Sequence, residues 1–210
     1  MKCPLCVGRK AKRFCPAKAA QICPTCCGTK REVEIDCPSD CVYLHSGREY
    51  ETQRMVERGQ FTPTTERLWA DEFYQRNFSL LAGLWHLILA GRIDTPEMVD
   101  SDAKAVVNSL IRTYQTMESG IYYDHVPDSY VQKTLYHSVK SHLDEEDKNP
   151  DVTTAHLKTS VLLDCLHLTS EMISISTLLR PKSRAFLDYL DATYRKMAGQ
   201  VDTLSSIILP

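Results

Sequence analysis

From about residue 61 onward, apolar residues recur at intervals of three and four, the spacing of helices with one buried face. "FTPTTERLWADEFYQRNFSLLAGLWHLILAG" places Thr62 and Pro63 as cap and first helical position and stops at Gly91. Thr95 and Pro96 repeat the device, and Val99, Ala103, Val106, Leu110, Tyr114 and Met117 then hold one face. A further helix is predicted after Asp128, with Val131, Leu135, Val139 and Leu143 inward, ending in the acidic stretch "DEEDKNPD" as a solvated connection. Another runs from about Thr153 to Arg180, where Pro181 either begins a new helix or kinks a continuous one. The last helix has the cleanest period, with Leu187, Leu190, Tyr194, Met197, Val201, Leu204 and Ile208 alternating by three and four. That seam suits the interior of a bundle; read more sharply, residues 187–208 are a surface for self-association. An antiparallel helical bundle over residues 61–210 is the expected architecture.

The first 58 residues follow another pattern. Eight of the nine cysteines lie between residues 3 and 41, and "CPTCCGTKREVEIDCPSDC" packs five of them into 19 residues. The pairs "CPLC" and "CPTC" have the two-residue gap of a metal-binding knuckle, and we read the thiols as metal ligands rather than disulfides. In "CPTCCG", Pro24 stiffens the turn and Gly28 is expected to let the chain leave with positive φ. "TKREVEID" alternates, with Val33 and Ile35 on one side, as in a short strand or hairpin arm. "DCPSDCVYLHSGREY" reads as a helix start, with Cys37 near the cap, Pro38 at the first helical position and Cys41 on the same face as Cys37.

Knuckle, hairpin and helix start make a treble-clef layout, in which Cys23, Cys26, Cys37 and Cys41 hold one ion. Cys3, Cys6, Cys15 and Cys27 then form a second set, and His45 is a substitute for one of them. A rival, ribbon-like pairing puts Cys3, Cys6, Cys23 and Cys26 on one ion and Cys15, Cys27, Cys37 and Cys41 on the other. Spacing does not decide between the two. Both use all eight cysteines to bind two zinc ions, and a closed four-thiolate site leaves no open position for water, so the ions are expected to be structural.

The segments Arg13–Leu44 and "TYQTMESGIYYDHVP" (Thr113–Pro127) resemble two blocks found in uncharacterised bacterial proteins of about this length. The resemblance covers about a quarter of the chain. It implies a bacterial, zinc-binding, mostly helical protein and brings no activity with it.

Charge bears on partners. Residues 1–31 carry eight basic groups and no acid, and Lys10, Lys12, Arg13, Lys30 and Arg31 are candidate phosphate contacts. Four acids before residue 42 and the charge of two four-thiolate sites bring the module to about zero, and residues 32–210 carry a net −10, so nucleic acid is not the favoured partner. The longest apolar run, Leu80–Ala90, is about half of what spans a bilayer, and "MKCPLC" has no apolar leader, which leads us to expect a cytoplasmic protein with no membrane partner.

Catalytic signals are thin. "DCLH" gives one Asp164–His167 pair where a di-metal bundle needs repeated carboxylate–histidine pairs, although His142, His156 and His167 could converge from different helices. His137 and His142 are five apart and do not share a face. Tyr122, Tyr123, Asp124 and His125 are a candidate ligand pocket with His125 as the acid–base group; the plainer reading is a helix–helix joint. Cys165 reads as a buried small hydrophobe. The sequence therefore favours a non-enzymatic, zinc-stabilised helical protein that acts as a protein-interaction or regulatory module. The alternatives are a nucleic-acid-associated factor and, third, a bundle enzyme with an additional metal site.

Overall fold

The structure, a computed structural model, describes residues 1–57, 71–148, 158–177 and 180–205. The chain divides into two units: residues 1–68 with 179–183, and residues 69–178 with 184–210.

In the first unit, strands β1 (Arg13–Cys15) and β2 (Ala20–Ile22) pair antiparallel, in the register Arg13 to Ile22, Phe14 to Gln21 and Cys15 to Ala20. A single 3₁₀ turn, Pro16–Lys18, connects them and closes on Ala19 in the left-handed region. Helix α1 (Pro24–Lys30) and helix α2 (Val42–Glu57) follow. The sequence placed the strand elsewhere, in "TKREVEID". That segment instead completes α1 and then turns, with Arg31 bridged to Ile35, Ile35 buried and Val33 exposed. Alternating residues over so short a span also fit a turn held by its ends, and Lys30 O accepts the N–H groups of Val33, Glu34 and Ile35. Gly28 lies inside α1; among the described residues of this unit, those with positive φ are Val7, Ala19 and Glu32. Cys37 and Pro38 precede α2 rather than starting it, and Cys41, immediately before the helix, accepts the N–H of His45.

The second unit is built of α3 (Asp71–Arg76), α4 (Phe78–Asp94), α5 (Asp100–Glu118), α6 (Tyr130–Lys148), α7 (Thr159–Thr177) and α8 (Ala185–Ser205). α5 packs on α6 and α7, and α4 packs on α6, α7 and α8, around one apolar core. The α5 face read from the sequence is buried at Ala103, Val106, Leu110 and Tyr114, and that of α6 at Leu135, Val139 and Leu143. α4 does not stop at Gly91. It continues to Asp94, and Gly91 is instead a packing position, where a Cβ would sit 2.7 Å from Leu135 Cδ1. Thr95 caps the end of α4, and α5 begins at Asp100, where Asp102 accepts the Val99 N–H. The acidic stretch after Leu143 continues α6 as far as Lys148. The Thr62–Pro63 start and residues 149–157 lie outside the described residues.

Two buried polar arrangements fix helix order. Asp100, fully buried at the start of α5, accepts the N–H groups of Phe186 and Leu187 and so caps the first turn of α8. Trp85 Nε1 donates to Thr169 Oγ1, which itself donates to the Cys165 carbonyl. Leu187 and Leu190 are fully buried in this unit's core, and the Tyr194 hydroxyl donates to the Ala82 carbonyl at 2.5 Å, so the first half of the 187–208 seam is internal. Met197, Val201, Leu204 and Ile208 lie outside the residues whose side chains are described. Among the described residues, no helix is long and apolar enough to cross a membrane.

Candidate metal centre

Two short turns bring four sulfurs together. In the first, Cys3 N–H donates to Arg9 O, Ala11 N–H to Met1 O and Val7 N–H to Cys3 O, folding "CPLC" back on itself. Val7 sits at φ 57°, a conformation that costs a β-branched residue about 1–3 kcal/mol and persists only where its surroundings impose it. In the second, Cys23 is the N-cap of α1, Pro24 its first residue, and Cys23 Sγ accepts the Cys26 N–H at 3.3 Å.

The sulfurs of Cys3, Cys6, Cys23 and Cys26 all lie within 4.8 Å of one another, with Cys6 and Cys23 at 3.8 Å. Cys3, Cys23 and Cys26 are buried and Cys6 is exposed. Backbone N–H groups of Arg9 and Gly8 hold the Cys6 thiol down at about 6, as at a site prepared for a thiolate. Burial, aided by hydrogen bonds that the Cys26 S–H donates to the neighbouring sulfurs, pushes Cys26 up to about 12, so in the absence of a cation the four do not ionise together. A bound cation resolves that conflict.

This is the ribbon-like grouping; Cys23 and Cys26 join Cys3 and Cys6 rather than Cys37 and Cys41. It is the one group of three or more potential ligand atoms this close among the described residues. Cys15, Cys27, Cys37 and Cys41 lie around the same small core, beside Ile22, Ile35 and Leu44. Burial raises the Cys37 thiol, a Glu32 backbone N–H lowers it, and the fields of Cys41 and Cys15 raise it further. His45 is exposed and stands apart from the group, as do His142 and His167; His156 lies outside the described residues.

The candidate phosphate contacts separate. Lys10 and Lys12 are exposed; Arg13 lies over the Tyr43 ring at 4.7 Å, and Lys30 pairs with Glu34 at 2.5 Å. Arg31 is not a surface group. It is buried, its Nε and Nη1 have no hydrogen-bond partner, and a Cβ built at Gly47 would overlap its guanidinium. Sequence reading missed the adjacent Glu32, buried at positive φ. Its carboxylate pairs with Arg48 and with Arg180 (3.3 Å), its carbonyl accepts Lys182 N–H, and Arg180 also reaches Glu51 at 2.8 Å. A partner 148 residues away leaves no local signal.

Tyr122 and Tyr123 are both exposed, as are Ile121 and Tyr130. The segment carrying them is held from beneath. His125 N–H donates to Thr113 Oγ1, which shares a hydrogen bond with the Tyr136 hydroxyl, and Asp124 lies 3.7 Å from Lys140. The His125 ring stands edge-on to Tyr123, with its Nε2 buried and unpartnered. Cys165 is fully buried, and that burial pushes its thiol up to about 12.

Comparison with family models, with curated proteins and with solved structures finds no match to this chain, so the bacterial resemblance gains no support there, and the four-cysteine cluster is what speaks for metal binding.

Proposed function

We propose that the protein is a non-catalytic, zinc-stabilised helical protein of the cytoplasm that works by binding another protein. The observation that carries this is the sulfur geometry. A tetrahedron with Zn–S bonds of about 2.3 Å has S–S edges of about 3.8 Å, and Cys6 and Cys23 stand 3.8 Å apart. Four thiolates fill a tetrahedral zinc and leave it no site for water or substrate, so the ion folds the chain rather than acting on a reactant. A second zinc is held by Cys15, Cys27, Cys37 and Cys41, whose side chains share the first unit's core. The two knuckles and the second cysteine group form a ribbon-like or treble-clef module, and the helices of the second unit form an antiparallel bundle.

Interaction is assigned to the bundle's tyrosine-bearing segment. Ile121, Tyr122, Tyr123 and Tyr130 expose large rings and an aliphatic chain from a backbone tied to Thr113 and Thr116. Rigid aromatic side chains give much contact area at little entropic cost, which is why they anchor protein interfaces.

The test is cross-linking in living cells followed by mass spectrometry, comparing the native protein with Tyr122→Ser/Tyr123→Ser. A defined partner cross-linked near Tyr122 and lost in the variant supports the reading. A third metal or a retained small molecule in the native mass spectrum would overturn it in favour of a bundle enzyme.

A further inference from the structure

Lys10, Lys12 and Phe14 are exposed, whereas Ala11, Arg13 and Cys15 between them are partly or fully buried. This is the period of an extended strand, in which alternate residues line one face. Lys12 N–H donates to Ile22 O, which carries the pairing of β1 and β2 one residue beyond β1. Opposite Phe14, which is 53 % exposed, stands Gln21, also exposed. Lys2 joins the row from the other side, paired with Lys10 across an antiparallel bridge.

That pairing is informative. The flanking bonds, Cys3 N–H to Arg9 O and Ala11 N–H to Met1 O, make it the type in which the facing residues share no backbone hydrogen bond. Their Cα atoms then lie about 4.5 Å apart, and their side chains stand close. Like charges directly opposite one another are destabilising. Residues 1–31 contain no acid to relieve them, and Lys2, Lys10 and Lys12 have no ion-pair partner among the described residues. Lys2 is exposed, whereas Cys3 beside it is buried. Screening at physiological salt confines such fields to about 8 Å, so exposed acids farther away do little to cancel them.

We propose that this outward row binds single-stranded nucleic acid, with phosphates at Lys2, Lys10 and Lys12 and a base stacked on Phe14. A row of cations with an exposed ring at one end is the combination that such strands require.

The test is fluorescence anisotropy of a labelled short oligouridylate with the full-length, metal-loaded protein, across about 50–200 mM salt. Three phosphate contacts give a log–log salt slope of about −2, and each lysine removed lowers its magnitude by about 0.7. Lys10→Ala/Lys12→Ala therefore weakens binding and flattens the slope, Phe14→Ala weakens it by about 5- to 150-fold, and Lys133→Ala on α6 leaves it unchanged. Phe14, Lys10 and Lys12 are exposed, and an unchanged metal count in the native mass spectrum shows that each variant has folded. No binding at the lowest salt, or affinity indifferent to Phe14→Ala, overturns the proposal. So does equal affinity for duplex DNA, or for polyglutamate as a stand-in for an acidic protein.

Discussion

The two units solve the same problem with different materials. In the second, α4 to α8 enclose a continuous apolar core in which Leu84, Ile88, Leu110, Val139 and Leu166 are essentially inaccessible. Each such side chain contributes about 1.5–3 kcal/mol. In the first, the buried apolar residues other than cysteine are, among the described residues, Ile22, Ile35 and Leu44. Three side chains are far short of what ordering so long a segment costs, at about 1–2 kcal/mol per residue. Sulfur and charge make up the difference, through the four-thiol group and the buried Glu32 carboxylate between Arg48 and Arg180. A segment with few leucines is ordered by directional groups, and its stability then depends on what those groups bind.

Metal removal should separate the units most sharply. A structural zinc contributes about 10–16 kcal/mol of apparent folding free energy, so a strong chelator is expected to unfold residues 1–57 and leave α4 to α7 intact. Hydrogen exchange resolved by peptide reads this directly: protection is lost in the first unit and retained in the second. Leu110→Ala is the reverse experiment. It opens a cavity in the second core worth about 2–5 kcal/mol, lowers the midpoint of helix melting and leaves the metal count unchanged.

Smaller effects sharpen the contrast. Glu32→Gln removes the charge shared by two arginines. Breaking a fully buried pair costs about 3–5 kcal/mol; because Arg48 and Arg180 are partly exposed, about 2–3 kcal/mol is expected, read as faster exchange in the first unit. Cys165 is the mildest probe. Burial lifts its folded value to about 12 from an ordinary 9.0, so the unfolded thiol ionises first and the second unit loses stability as pH rises through 9.0 toward 12. In the folded protein Cys165 should resist alkylation, and it should label only after denaturation.

The helical part was legible because its period is long enough to be counted. Ala103, Val106, Leu110 and Tyr114 repeat through about three turns of α5, and no other element type buries that set. Strands of three residues carry no such period, and "REVEID" alternates at least as well as "RFC" or "AQI", so the hairpin was misplaced. Gly91 looks like a stop in sequence because the Leu135 side chain that fills the space beside it is 44 residues away. Cys3, Cys6, Cys23 and Cys26 were legible as candidate ligands, but their grouping was not. "CPLC" and "CPTC" have identical gaps, and what joins them is the pairing of Met1–Cys3 with Arg9–Ala11 together with that of β1 with β2, set by backbone bonds rather than spacing. Glu32 and Arg180 left no trace, since charged residues flank many cysteine knuckles.

The claim that metal holds the first unit together is tested most directly by native mass spectrometry of protein purified without chelators, beside a Cys23→Ser/Cys26→Ser variant. We expect two zinc ions on the native chain and one on the variant, with the first unit's exchange protection reduced in step. A native chain that carries no metal while residues 1–57 stay protected would contradict the account.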